Sequence, residues 1–162
     1  MIEMALLIAA LLFAPLAAHA ADEITGFRDV PWGASPASVH EQIGLDCGGQ
    51  VGPKRSCSAT VKIGDVWADR TYFHFRRNGM VGWSMWTGAA LYVLKALEEK
   101  YGRPTAQDSS RALWRGREAV VTFVYFGSGA KIEAFTLAEI AVRAAESAEE
   151  ERAATKKSAK DF

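Results

Sequence analysis

An excess of either charge is the first thing missing from this chain, in which 19 Lys and Arg stand against 19 Asp and Glu. Nucleic-acid binding, which calls for a clustered basic surface, therefore does not fit. Histidine is scarce, with three residues, and cysteine scarcer, with two. No apolar run reaches the roughly 20 residues that a membrane-spanning helix needs. The longest, "ALLIAALLFAPLAA" from Ala5 to Ala18, is interrupted by Pro15 and followed by small residues at Ala18 and Ala20. That pattern predicts a cleaved secretory leader over 1–20, although Glu3 stands where a basic residue is expected. Cleavage there removes one charged residue and leaves the charge balance almost unchanged. The expected product is periplasmic or secreted, with no transmembrane segment, and comprises a domain over 21–138 and a charged tail over 139–162.

The compartment decides how the cysteines read. Cys47 and Cys57 lie in "DCGGQVGPKRSC" with nine residues between them, which is neither a C-x-x-C redox pair nor half of a two-pair zinc framework. A phosphate loop is a near miss, because Pro53 separates Gly52 from Lys54. In an oxidising compartment two lone cysteines pair. A Cys47–Cys57 bridge closes a short loop and contributes on the order of 2.5 kcal/mol on the chain-entropy model. Lys54 and Arg55 on that loop are the candidate contacts for an anion.

Hydrophobic spacing gives the elements. Ser35 and Pro36 open a first helix with Val39 and Ile43 on its apolar stripe, and Gly44 ends it. "SATVKIGDVW", "RTYFHFRR" and "MVGWSMWTG" read as three strands. "ALYVLKALEEKYG" reads as a second helix with Ala90, Val93, Leu94, Leu97 and Tyr101 on one face. "RALWRG", "EAVVTFVYF" and "KIEAFTLA" give three more strands. The predicted fold is α+β: tandem units of one helix and three strands forming an antiparallel sheet, with two helices on one face and the other face partly open.

In the hairpin around "RRNGM", a three-residue loop over Arg77–Gly79 pairs Phe75 with Val81, Phe73 with Trp83 and Thr71 with Met85, which gathers the apolar residues on one face. The opposite face then carries Tyr72, His74, Arg76, Met80, Ser84 and Trp86. Its mix of aromatic, cationic and hydroxyl groups suits a partner-facing surface, with Tyr72, His74, Arg76 and Trp86 as the candidate contacts. Trp83 and Trp114 are assigned to the core.

Catalysis needs a nucleophile, a base and a group that orients the base. Outside the leader only His40 and His74 can serve as neutral-pH bases, no G-x-S-x-G occurs, and no carboxylate pair stands out. The expectation is a non-enzyme with no cofactor and no metal site. The tail, rich in Ala, Glu, Lys and Arg, has no large apolar residue after Val142 before the terminal Phe162, and reads as a solvated helix or a disordered end.

"FRDVPWGAS", the "FHFRRNGMV" hairpin and "KYGRP" before a lone Trp114 resemble a pattern in small exported bacterial proteins of unknown function. At the level of fold the arrangement is similar to beta-lactamase inhibitor protein and to small outer-membrane assembly lipoproteins. That resemblance implies a sheet face or groove that binds other proteins, here an envelope protein. It supplies no catalytic residue, and this chain has no cysteine near the leader to carry a lipid. The expected function is a non-catalytic protein-interaction module. The alternative is a binder of a small anion or lipid in a pocket beside the stapled loop.

Overall fold

The computed structural model describes residues 23–50 and 52–158. The predicted leader lies outside the described residues, as do 159–162 of the predicted tail. The fold is α+β. Two-residue strands β1 (Gly26–Phe27) and β2 (Val30–Pro31) precede helix α1 (Pro36–Ile43). Strand β3 (Lys54–Ala59) is followed by the small hairpin β4 (Lys62–Ile63) and β5 (Val66–Trp67), then by β6 (Arg70–Arg76) and β7 (Gly79–Thr87). Helix α2 (Ala90–Tyr101) leads to β8 (Ala106–Gln107), β9 (Arg111–Arg115), β10 (Ala119–Phe126) and β11 (Gly129–Thr136), and helix α3 (Leu137–Ser158) closes the chain.

Seven strands form one antiparallel sheet in the order β3-β6-β7-β11-β10-β9-β8, so β7 and β11 join its two halves at the centre. Alternation sorts the side chains. Phe73, Trp83, Met85, Phe123, Ile132 and Trp114 point into a buried cluster shared with Val39 of α1 and Val93 and Tyr101 of α2. Phe73 and Phe123 are fully buried, each a contribution of about 2–3 kcal/mol by area. The helix ends follow their residues: the Ser35 hydroxyl accepts from the Ser38 amide at 3.2 Å, and Gly44 leaves α1 at a φ of 77°. "FRDVPWG" is an anchor for the chain's start. Phe27 meets Phe73 and Trp83 edge to face at 5.1 and 5.2 Å, and the Trp32 indole donates to the Ile24 carbonyl at 2.8 Å.

Three local expectations are corrected. "SATVKIGDVW" is not one strand. The sheet strand starts earlier, at Lys54, and a tight turn at Gly64, with φ of 57°, folds the remainder into the β4–β5 hairpin. The β6–β7 turn holds two residues, Arg77 and Asn78, at φ of 49° and 66°, the left-handed pair that a two-residue hairpin requires. Phe75 therefore faces Met80 rather than Val81, and an irregularity in register then restores Phe73 to Trp83 and Thr71 to Met85. In consequence Met80 is fully buried instead of lying on the outer face.

The Cys47–Cys57 disulfide is present, with Cα atoms 4.1 Å apart. Its loop does more than close a ring. Asp46 exchanges two backbone hydrogen bonds with Ser58, at 2.8 and 2.7 Å, and Gln50 Oε1 accepts from the Ser56 amide at 3.1 Å. Three outward groups of edge strand β3, the Ser56 amide and both backbone groups of Ser58, are thereby occupied, which hinders its pairing with another chain.

Candidate functional site

The outer sheet face carries Lys54 and Ser56 on β3, Tyr72, His74 and Arg76 on β6, Ser84 and Trp86 on β7, and Lys131, Glu133 and Phe135 on β11, as the strand registers require. Helix α3 lies across one end of this face. Its contact is ionic, which explains why apolar periodicity did not reveal it. Glu139, Arg143 and Glu146 recur at four and three residues, one helical face, and each reaches the sheet.

Glu139 is 4% exposed and accepts from Arg76 Nε at 2.6 Å and Nη2 at 3.0 Å, a two-point fork, while Arg143 Nε donates to it at 2.8 Å. Burial opposes its ionisation, but the hydrogen bonds from Arg76 and Arg143 outweigh that and hold the carboxyl below the usual range. Glu146 receives Lys54 Nζ at 2.6 Å and Arg76 Nη1 at 3.1 Å. Arg143 also stacks on Phe135, its guanidinium carbon 3.9 Å from the ring centre. Phe135 in turn packs against Gly82. A Cβ there would come within 2.0 Å of the ring, so only glycine admits the contact.

Beneath this arrangement His74 is held between two hydroxyls, with Nδ1 2.8 Å from Ser56 Oγ and Nε2 3.0 Å from Ser84 Oγ. Burial, reinforced by Arg143, lowers its pKa from 6.5 to about 4. A Ser–His contact is one part of the Ser-His-Asp triad. The second nitrogen meets a hydroxyl and not the carboxylate that orients and stabilises a catalytic imidazolium, and so low a pKa makes a weak base at neutral pH.

A cleft of about 460 Å³ opens between the stapled loop, β6 and α3, with Lys54, Arg55, His74, Arg76 and Arg143 among its walls. The structure thus divides the predicted contact surface. His74 and Arg76 sit under α3 and share the cleft with both predicted anion contacts, Lys54 and Arg55. Tyr72 and Trp86 stand clear of the cleft on the same face. Their rings meet edge to face at 5.9 Å, and the Lys131 ammonium lies 5.1 Å from the Trp86 ring centre. Trp86 also borders a second depression of about 320 Å³ with Phe126, a ring 59% exposed at the β10–β11 turn.

No family model, curated protein or solved structure matches this chain. Among the described residues no group of three or more His, Cys, Asp or Glu is placed to hold a metal ion. Among them, too, no helix is long and apolar enough to cross a membrane. The residues missed from sequence are Phe135, Glu139, Arg143 and Glu146, while the sequence places Ser84 on the outer face without a role. The 139, 143 and 146 spacing was the one available signal, and it is visible only to a search for a charged stripe.

Proposed function

We propose that this protein is an exported, non-catalytic interaction module that presents the uncovered part of its outer sheet face to an envelope protein. The observation that carries this reading is the Tyr72–Trp86 pair, half-buried and flanked by Lys131, on the part of the sheet that α3 leaves free. Two large amphipathic rings fixed against each other offer contact area at low conformational cost, and Trp and Tyr dominate the energetic centres of interfaces. Arg70 and Arg111, exposed on the same face, supply a polar rim. Export rests on the apolar run over Ala5–Ala18 together with a disulfide, which persists in oxidising compartments.

Crosslinking in intact cells followed by recovery of the tagged chain tests the proposal. A dominant envelope protein joined to the parent should be lost from Trp86→Ala and Tyr72→Ala chains whose melting temperatures stay within about 3 °C of the parent. Retention of that crosslink by both variants would remove the surface from consideration.

A further inference from the structure

The cleft beside the stapled loop has more positive charge than its own carboxylates neutralise. Four cations, Lys54, Arg55, Arg76 and Arg143, face two carboxylates, Glu139 and Glu146, and His74 stays neutral because its pKa lies near 4. The two carboxylates play different parts. Glu139 is buried and forked onto Arg76, so it belongs to the permanent structure. Glu146 is 36% exposed, sits at the mouth of the cleft, and bridges Lys54 and Arg76 through Oε1 at 2.6 and 3.1 Å, with a longer bond from Arg76 Nη2 to Oε2 at 3.4 Å. That is how a bound carboxylate would sit. The neighbouring Arg55 is incompletely used: Nη2 donates to Asn78 Oδ1 at 3.1 Å, while its buried Nε has no hydrogen-bond partner.

We propose that this cleft is a binding site for a small polyvalent oxyanion, a phosphate or a di- or tricarboxylate, and that Glu146 is a resident stand-in that the ligand displaces. With Glu146 swung out, one carboxylate remains against four cations. An anion of two or three charges then neutralises the site better than the single charge of Glu146, so it competes where a monovalent acid does not. A cleft of about 460 Å³ admits a molecule of this size. Lys54 contributes a mobile point charge, and Arg76, already fixed by Glu139, contributes an oriented donor without further loss of freedom. Displacement also removes one of the ties that hold α3, so occupancy is coupled to the position of that helix.

Calorimetric titration of the full chain with citrate and with inorganic phosphate, at constant ionic strength and with acetate for comparison, tests the site. Vesicles of phosphatidylcholine with and without phosphatidic acid, read by co-sedimentation, determine whether the phosphate comes from a lipid headgroup. Glu146→Gln should tighten binding about two- to fivefold, the range for removal of a part-exposed ion pair, and Lys54→Gln should weaken it by a similar factor. Both positions are exposed enough for the fold to tolerate the change. Dependence on both residues with the free anions assigns a soluble ligand; the same dependence with phosphatidic acid vesicles alone assigns a headgroup, and either supports the site. Absence of binding by parent and Glu146→Gln chains to all three probes, or equal affinity in all three proteins, overturns it.

Discussion

His74 makes stability depend on pH over a defined window. In the folded chain its pKa is lowered from 6.5 to about 4, first by burial, then by Arg143 and Lys131, against the opposing pull of Glu133 and Glu139. The unfolded chain accordingly binds a proton near pH 6.5 and the folded chain does not until near pH 4. Stability is therefore complete above pH 6.5, falls with acidification across the window, and loses nothing further from His74 below pH 4. Between pH 7 and pH 4.5 those two values, with the partial exposure of the ring allowed for, correspond to a loss of about 2 kcal/mol. His74→Gln keeps a donor and an acceptor between Ser56 and Ser84 but cannot titrate. Urea denaturation at half-unit pH steps on both chains should show the loss in the parent and a variant curve flatter by about 2 kcal/mol, whatever the variant's absolute stability. Parallel curves for parent and variant over pH 7 to 4.5 would refute the assignment of a part-buried, neutral His74.

Two further substitutions probe the site's supports. Gly82→Ala places a methyl group within 2.0 Å of the Phe135 ring and 2.8 Å of the Ala134 carbonyl oxygen, and should cost about 1–3 kcal/mol by urea denaturation; combined with Phe135→Ala, the two losses should fall short of their sum. Replacing Cys47 by Ser and Cys57 by Ala should lower the unfolding free energy by about 2–3 kcal/mol and, because the loop covers the β3 edge, should raise aggregation measured by light scattering. Unchanged stability and unchanged scattering would mean that the loop holds its place without the bridge.

Local chemistry made much of this molecule legible from its residues. The Ser35–Pro36 start and Gly44 end of α1, the face of α2 from Ala90 to Tyr101, the pairing of Phe73 with Trp83 and the Cys47–Cys57 staple each depend on neighbours in the chain or on a two-residue period. The β6–β7 turn departs from the expected three-residue loop, because Arg77 and Asn78 both take left-handed conformations that this pair of residues does not signal as Asn-Gly would, and Met80 falls inward. Nothing local joins Glu139 to Arg76, 63 residues away, or packs Phe135 against Gly82. Those contacts arise because β7 and β11, distant in sequence, pair at the centre of the sheet and aim α3 across its outer face. A helix without an apolar stripe has no periodic hydrophobic signal of where it docks. Charge complementarity seats it, and such complementarity exists only once the strands that carry Lys54 and Arg76 have been brought side by side.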